Sequence, residues 1–500
     1  TAHRANAPSS TAPATALESL ILEAWAEQMS WGTIGLDQDF FDNGADSLAG
    51  MQSVSNIGHR IGQEVPEELI FANRTARTLA AAIESIEPVE SDHDIAMPVV
   101  PNDDLPLSPG EQAMLFSWLN DPESDANNVG RIYLVDDDLQ SEQLRSACLK
   151  LIERHVPLRF TFSSPRQQLA AADSLDYSDG TGLVDAPTFE AQAQERFLQP
   201  FDLEAGPLLR VHRQGIVGGS TGILLSLHHA TIDEAGLDRL FHDLGELYGG
   251  VALSDISGRY ESFAHTQITR ANHPADAKFW STQSEPGSLH FNSGASEPDG
   301  YLQRAASFAS AQLDRMPGVS GAALSLAAVA KVVSGFSDGA HVEIGMPISV
   351  RSSQDHELAG YALNMLPMIV DTADTIASAN AMLGQAIVHR NYPFASIVSD
   401  RRASSSPVPK LSTLLAYGRL GDAHFGEAAA THRVLAPSEA TTDLTFFVQV
   451  RGEKVNLGLE YAGTALSKAT AQVLLASFDD TLAGRDSMEP PKGPASSLVP

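Results

Sequence analysis

The sequence is short of cysteine, of basic residues and of long apolar runs, and each shortage argues against a class of protein. Its 500 residues contain one cysteine, Cys148, so an internal disulfide is impossible and a reducing cytoplasm is expected. Lys and Arg number 32 against 63 Asp and Glu, and the net charge of −31 argues against a nucleic-acid partner and an anionic membrane surface. No apolar run is long enough to span a membrane.

What is present predicts two folded units joined by a tether. In the first unit Thr15 and Glu18 have the spacing of a capping box, a second helical pattern begins near Ser47, and a third follows Arg74. Next comes "IEPVESDHDIAMPVVPNDDLP", which has four prolines, six acids and no base, a composition typical of an extended linker. From Leu107 onward, strand-like runs alternate with helical stretches, which is an α/β pattern. We therefore expect five segments: a linker stub over 1–14, a helical unit over 15–85, a flexible acidic linker over 86–106, an α/β unit over 107–485, and a linker or tag remnant over 486–500.

Ser47 stands in "FFDNGADSLAG", where Gly44 permits a tight turn and a helix is expected to begin. Ser and Asp at such a point are also preferred as simple helix caps. A helix N-terminus stabilises a phosphate, however, and the two preceding phenylalanines are not explained by capping. "NGADSL" resembles the attachment motif of acyl and peptidyl carrier proteins. The resemblance implies a four-helix carrier domain with 4′-phosphopantetheine attached covalently to Ser47.

Two adjacent histidines stand in "LHHATIDEAG", at the end of an apolar run in the α/β unit. Neighbouring strand residues point to opposite faces, so one imidazole is expected inside the core and the other where the strand ends. A hydrogen-bonded core histidine is the simplest interpretation, and a zinc site fits poorly because no third ligand follows at a suitable spacing. The alternative is chemistry, since an imidazole that titrates near neutrality can accept a proton or hold an amine nucleophile.

The stretch is similar to the His-His-x-x-x-Asp-Gly signature of nonribosomal peptide synthetase condensation domains, which belong to the chloramphenicol-acetyltransferase-like acyltransferases. Five further stretches resemble other motifs of that family in the family's order: "LSPGEQAML", "RHVPLRFTF", "YESFA" with "FW", "GYALNMLPM" and "HRNYPFASIV". The resemblance implies a two-lobed, V-shaped α/β fold, with lobes over about 107–275 and 276–485. It also implies a segment at 356–368 that crosses between the lobes and floors a substrate tunnel.

Carried over by position, the resemblance implies a role for each motif residue. His229 would be the catalytic histidine, His228 a core support, and Asp233 a structural carboxylate paired with Arg351 or, as second choice, Arg154. Such pairing matters because an unpaired carboxylate beside an imidazole raises the imidazole's pKa. The tunnel or acceptor-side candidates are Glu234, Gly236, Trp280 and Asn364, and no metal is expected.

The sequence departs from the family pattern at three points. Glu234 stands where the signature has glycine, so a side chain is expected to crowd the tunnel. Ala113 replaces the arginine of the first motif. Val156 and Pro157 replace the acidic part of the second.

The order of carrier, tether and condensation domain implies that the carrier delivers a donor aminoacyl or peptidyl thioester. The condensation domain would join it to the amine on a downstream carrier. The implied partners are an upstream adenylation domain, downstream acceptor carrier and adenylation domains and a phosphopantetheinyl transferase, around a monomeric fragment of a larger synthetase. The alternatives are an epimerisation domain, a terminal cyclising domain and a non-catalytic domain that recruits a partner. A heterocyclisation domain would have an aspartate in place of the first histidine.

Overall fold

The structure is a computed structural model that describes residues 13–28, 34–40, 47–61, 65, 69–85, 105–163, 166–169, 174–256, 259–291, 297–352, 355, 357–419 and 424–485. Residues 86–104 of the linker expected over 86–106, the expected remnant at 486–500, most of the stub at 1–14, and Phe41, Gly44 and Asp46 of the serine motif lie outside these ranges. The last two residues of that linker, Leu105 and Pro106, are described and form a short strand.

The first unit is helical, as predicted. Its helices are α1 Ala16–Gln28, α2 Ser47–Ile61, α3 Leu69–Ala72 and α4 Ala76–Ser85. The capping box of α1 is present, because Glu18 N–H donates to Thr15 Oγ1 at 3.1 Å and Thr15 N–H donates to Glu18 Oε2 at 3.1 Å. The helices enclose an apolar core in which Trp25 stacks on Phe40 with ring centroids 4.4 Å apart.

The second unit contains helices and three sheets. Its helices are α5 Pro109–Asn120, α6 Ser141–Arg154, α7 Ala186–Phe197, α8 Glu234–Tyr248, α9 Arg259–Arg270, α10 Pro274–Ser281, α11 Gly321–Val333, α12 Thr375–Val388, α13 Phe394–Ala403 and α14 Lys468–Leu482. Its strands are β1 Leu105–Pro106, β2 Asn128–Val135, β3 Phe160–Ser163, β4 Arg166–Leu169, β5 Asp176–Val184, β6 Leu209–Ile216, β7 Thr221–His228, β8 Gly300–Ala305, β9 His341–Ser349, β10 Leu363–Asp371, β11 Thr413–Arg419, β12 His424–Phe425, β13 Ala428–Val434, β14 Leu444–Arg451 and β15 Lys454–Tyr461.

Two mixed six-stranded sheets form the framework of this unit. The N-terminal sheet has the order β12-β13-β2-β7-β6-β5, and the C-terminal sheet has the order β10-β9-β11-β14-β15-β8. A small third sheet has the order β1-β4-β3. Helices α6 and α8 pack on the N-terminal sheet, while α11, α12 and α14 pack on the C-terminal one, so each sheet has its own apolar core. The α/β prediction is confirmed.

One segment departs from the expected division into lobes at about residue 275. Strands β12 and β13 come late in the chain, yet β13 pairs antiparallel with β2 and thereby extends the N-terminal sheet. The backbone groups along the outer side of β2 need hydrogen-bond partners, and residues 430–434 supply them. The second lobe is therefore not one continuous stretch from 276 to 485.

Candidate active site

The site lies where β7 ends. All eight residues of β7 are buried, and the chain then makes one turn of 3₁₀ helix over His229–Thr231 before α8 begins at Glu234. Asp233 caps α8, with its Oδ1 accepting from the N–H of Gly236 at 2.9 Å. Strand end, turn and helix start therefore place His228, His229 and Asp233 within six residues of one another.

His228 is a core residue. Its side chain is buried, and Nδ1 accepts from the N–H of Ala230 at 3.1 Å. Burial, with a smaller contribution from His229, lowers the pKa of His228 to about 3. This imidazole is therefore neutral at physiological pH and supports the turn.

His229 is only partly buried, and its ring is held in one orientation. Nδ1 lies 2.7 Å from the carbonyl oxygen of Ile232. Because a carbonyl can only accept, the neutral imidazole is held in the tautomer in which Nδ1 carries the proton and Nε2 has the lone pair. The ring also packs edge-on against Tyr361, with centroids 5.3 Å apart and planes at 84°. Tyr361 lines a surface pocket together with Ser108, Gly110, Phe263 and Asn364.

Asp233 is paired with Arg351, the first of the two arginines that the sequence suggested. Arg351 Nη1 donates to Oδ2 at 2.5 Å and Nη2 donates to Oδ1 at 2.9 Å, which is a bidentate pair. The N–H of Ala362 also donates to Oδ2, at 3.0 Å. The carboxylate is buried and fully occupied by these donors, so Arg351, and not the His229 ring, compensates its negative charge.

Arg154, the second choice, does not reach Asp233. Its Nε donates to Asp243 Oδ2 at 3.0 Å, and its Nη1 donates to the carbonyl of Ser254. Asp243 is buried on α8 and also contacts His155 Nε2 at 2.9 Å. Arg154 therefore stabilises the packing of α6 against α8 and lies outside the site.

Glu234 turns toward the N-terminal sheet. Its carboxylate accepts from Arg131 Nη2, and Asp238, one helical turn later, accepts from Arg131 Nη1. Arg131 lies on β2 with 0% of its side chain exposed, whereas the Glu234 and Asp238 side chains are 45% and 37% exposed. Glu234 therefore forms an ion pair with Arg131, and the sequence did not lead us to predict this pair. An arginine inside the apolar strand "RIYLVD" is the signal that could have indicated it.

Comparison with known protein families identifies the family to which this chain belongs. Residues 102–497 match the family model of the condensation domain, and residues 19–83 match that of the phosphopantetheine attachment site. The chain belongs to the condensation-domain family.

The similar curated proteins include two synthases. Gramicidin S synthase 2 of Brevibacillus brevis is 27% identical over 93% of this chain and 11% of its own length. Surfactin synthase subunit 2 of Bacillus subtilis (strain 168) is 30% identical over 51% of this chain and 7% of its own length. This chain thus spans about a tenth or less of those two relatives.

The solved structures that resemble the chain are also condensation domains. The starter condensation domain of rhizomide synthetase superposes with a TM-score of 0.65 at 20% identity, covering 78% of this chain and 96% of that one. The first condensation domain of the calcium-dependent antibiotic synthetase superposes with a TM-score of 0.62 at 16% identity, covering 76% and 95%. At these identities the likeness shows the fold, a chloramphenicol-acetyltransferase-like pair of α/β lobes.

In the carrier domain, helix α2 begins at Ser47. The first amide N–H groups of a helix have no partner within it, and its dipole is positive at this end, so the position fits a phosphodiester. The start of α2 at Ser47 therefore agrees with an attachment site for 4′-phosphopantetheine.

The other candidate residues of the condensation domain differ in how near they lie to His229. Gly236 lies close to the turn that carries His229, at a point where α8 packs tightly on the segment at 358–362. A Cβ added to Gly236 would lie 3.2 Å from Gly360 N and 2.6 Å from Ile232 Cδ1. Asn364 lines the pocket with Tyr361, but its side-chain amide is used up by Arg390 O, Tyr392 O and Phe394 N–H.

Trp280 is not part of the site. It is buried in the core of the C-terminal sheet, and its Nε1–H donates to His389 O at 3.1 Å. Of the other departures from the family pattern, Ala113 is exposed on α5, and Pro157 is buried in the 3₁₀ turn Val156–Arg159.

Two features are absent from the part of the chain that the structure describes. No helix among them is long and apolar enough to cross a membrane. In the same part of the chain, no group of three or more His, Cys, Asp and Glu side chains is arranged to hold a metal ion.

Proposed function

We propose that the condensation domain forms an amide bond between a donor acyl group on the chain's own carrier and the amine of an acceptor on a downstream carrier. The observation that supports this most directly is the imidazole of His229. Its Nδ1 proton is held by the carbonyl of Ile232, so Nε2 is available as an acceptor at the edge of a partly open site.

His229 acts on the attacking amine. Nε2 accepts a hydrogen bond from the amine, directs the amine's lone pair at the acyl carbonyl and takes up the proton that the amine loses as the new C–N bond forms. The C–S bond of the donor thioester breaks in turn, and its sulfur leaves as the thiol with that proton. Tyr361, packed against the ring, and the Ile232 carbonyl keep the imidazole in the orientation that this transfer needs. Holding both reactants at this place provides much of the remaining acceleration.

Asp233 and Arg351 have a supporting role. The carboxylate caps α8 and takes two hydrogen bonds from the guanidinium, so it holds the turn that carries His229 without acting on substrate. His228, neutral and buried, holds the same turn from inside the core.

A 4′-phosphopantetheine on Ser47 supplies the thiol that carries the donor acyl group. The start of α2 stabilises the phosphodiester through free amides and the helix dipole. A phosphopantetheinyl transferase installs the group, an upstream adenylation domain supplies the acyl group, and downstream carrier and adenylation domains supply the acceptor. We place the protein, a monomeric piece of a larger synthetase, in a reducing cytoplasm, since its one cysteine, Cys148, is a buried free thiol.

The test is a reconstitution. Ser47 is loaded with an aminoacyl-pantetheine, a charged acceptor carrier is added, and intact mass follows the acyl group. A dipeptidyl acceptor is the expected product. His229→Ala is expected to lower the rate by about 10²- to 10⁴-fold. His265→Ala, which removes an exposed histidine of α9, is the matched control and should transfer like the parent.

Four outcomes would contradict the proposal or a part of it. Inverted stereochemistry on the loaded carrier alone identifies an epimerisation domain. Release of product without an acceptor identifies a terminal cyclising domain. Absence of transfer by the fully loaded parent leaves the domain as a recruiter of another protein, and parental transfer by His229→Ala removes the role given to that imidazole.

A further inference from the structure

The first turn of α8 is held from two sides, and only one side belongs to the family signature. On one side Arg351 binds Asp233. On the other, Arg131 of the N-terminal sheet binds Glu234 and Asp238. Ile232, whose carbonyl orients His229, immediately precedes this doubly held turn.

Arg131 is an unusual residue for its place. It is fully buried on β2, between Leu225 on β7 and Val434 on β13 in register. Burial by itself lowers the pKa of a guanidinium, yet the carboxylates of Glu234 and Asp238 raise the pKa of Arg131 well above its usual value. Among the described residues its Nε has no hydrogen-bond partner. The two carboxylates are therefore the main compensation for a charge in the interior.

The spacing of the two carboxylates makes this a clamp. Residues four apart lie on the same face of a helix, one turn above the other. A guanidinium with two Nη groups can bind both at once, which an ammonium cannot do with the same geometry. The two carboxylates, both bound to Arg131, therefore fix the position and tilt of the first turn of α8 relative to the N-terminal sheet.

We propose that Arg131 is a positioning residue of the condensation reaction: by holding Glu234 and Asp238 it fixes the first turn of α8 and, through Ile232, the direction of the His229 ring. The inference rests on the proposed function. The clamp also explains why Glu234 stands where the family signature has glycine. A glycine there would leave the buried guanidinium of Arg131 with one carboxylate instead of two.

The test compares three changes at the clamp in the full chain. Arg131→Met is expected to lower kcat by about tenfold or more, since small misplacements of a reacting group have effects of this size, with the KM for the acceptor carrier within about twofold of the parent. Arg131→Lys keeps the charge but not the fork and should lose about threefold. The triple variant Arg131→Met, Glu234→Gln, Asp238→Asn removes all three charges together and should stay as slow as Arg131→Met, because no guanidinium is left to hold the turn.

Arg213→Met is the matched control. Arg213 lies on β6 of the same sheet and likewise contacts two carboxylates, Asp138 and Asp179, each at 3.5 Å, but not α8. It should leave kcat unchanged. The proposal is overturned if Arg131→Met keeps the parental kcat, if Arg213→Met loses as much, or if the triple variant recovers the parental kcat, since the loss would then come from unpaired charge and not from the missing clamp.

A second measurement separates this inference from the proposed function. The imidazole ¹⁵N signals of His229, assigned by their loss in His229→Ala, report the ring without any substrate. They should shift or broaden in Arg131→Met and stay at the parental positions in Arg213→Met. Unchanged signals in Arg131→Met overturn the inference even if transfer is observed. A parent that does not transfer contradicts the proposed function, but the ¹⁵N signals still show whether Arg131 orients the His229 ring.

Discussion

Arg351 and Asp233 connect the two halves of the condensation domain through a single bidentate ion pair. Arg351 follows β9 of the C-terminal sheet, and Asp233 is the N-cap of α8, which packs on the N-terminal sheet. The guanidinium also donates to the carbonyls of Leu358 and Gly360, so one side chain holds both the cap and the segment that packs on it. The position of the turn that carries His229 thus depends on contacts between distant parts of the chain.

Removing Arg351 should be severe, because it leaves the Asp233 carboxylate buried and unpaired. Arg351→Met is expected to lower the free energy of unfolding by about 3–5 kcal/mol in denaturant titrations. Arg419→Met removes an arginine from the half-exposed pair with Asp314 and should change stability by less than about 1 kcal/mol. Adding Asp233→Asn to Arg351→Met should restore part of the loss, and a double variant as unstable as the single one would contradict an electrostatic origin.

Gly236 is expected to tolerate no side chain. Gly236→Ala would force Cβ against Ile232 Cδ1 and Gly360 N, so we expect a loss of about 1–3 kcal/mol in unfolding free energy and a lower transfer rate. Gly384→Ala in α12 adds the same methyl group where nothing lies within 4 Å, and it should be neutral or stabilising because Ala favours helix over Gly. If the two variants unfold at the same temperature, the close contacts of Gly236 with Ile232 and Gly360 do not limit stability.

His228 should make stability fall on acidification. Burial lowers its pKa to about 3, against an unfolded value of about 6.5, so between these values only the unfolded chain binds the proton. Stability therefore decreases as the pH falls from about 6.5 toward 3, and at pH 5 the loss relative to pH 8 is about 2 kcal/mol. His228→Asn keeps an acceptor near Ala230 N–H and removes the titration. Its unfolding free energy should vary less between pH 8 and pH 5 than that of the parent, and an equal pH dependence would mean that other groups dominate.

Ser47→Ala should abolish loading. Incubation with coenzyme A and a phosphopantetheinyl transferase should add the mass of the arm to the parent but not to this variant. Ser85→Ala, at the exposed end of α4, should load like the parent. Loading that persists in Ser47→Ala would move the attachment site to another residue.

Features set by neighbouring residues were predictable. The capping box of Thr15 and Glu18, the strand that ends at His228, and the helix capped by Asp233 are all present, because each depends on hydrogen bonds between residues a few positions apart. The resemblance to the condensation-domain family likewise predicted the pairing of Asp233 with Arg351. The local features follow from spacing, whereas this pairing follows from the resemblance.

Other features depended on packing that spacing does not reveal. Trp280 stood in a family motif but lies in the core of the C-terminal sheet, and Arg154 lies beside Asp243 instead of Asp233. The addition of β13 to the N-terminal sheet joins residues about three hundred positions apart. A motif gives residue types in order, and it does not say which face of a helix or which sheet they meet.

The sequence by itself determined the helical and the α/β unit and the local strand end and capping box, because these depend on residue pattern and short-range hydrogen bonding, and its motifs indicated the serine and the histidine proposed to carry the chemistry. Only the tertiary structure decided between the two arginines offered for Asp233 and brought Arg131 to Glu234. Arg351 lies 118 positions from Asp233, and Arg131 lies 103 positions from Glu234. Whether a buried charge is harmful or useful depends on the partner within a few ångströms, and folding alone brings that partner there.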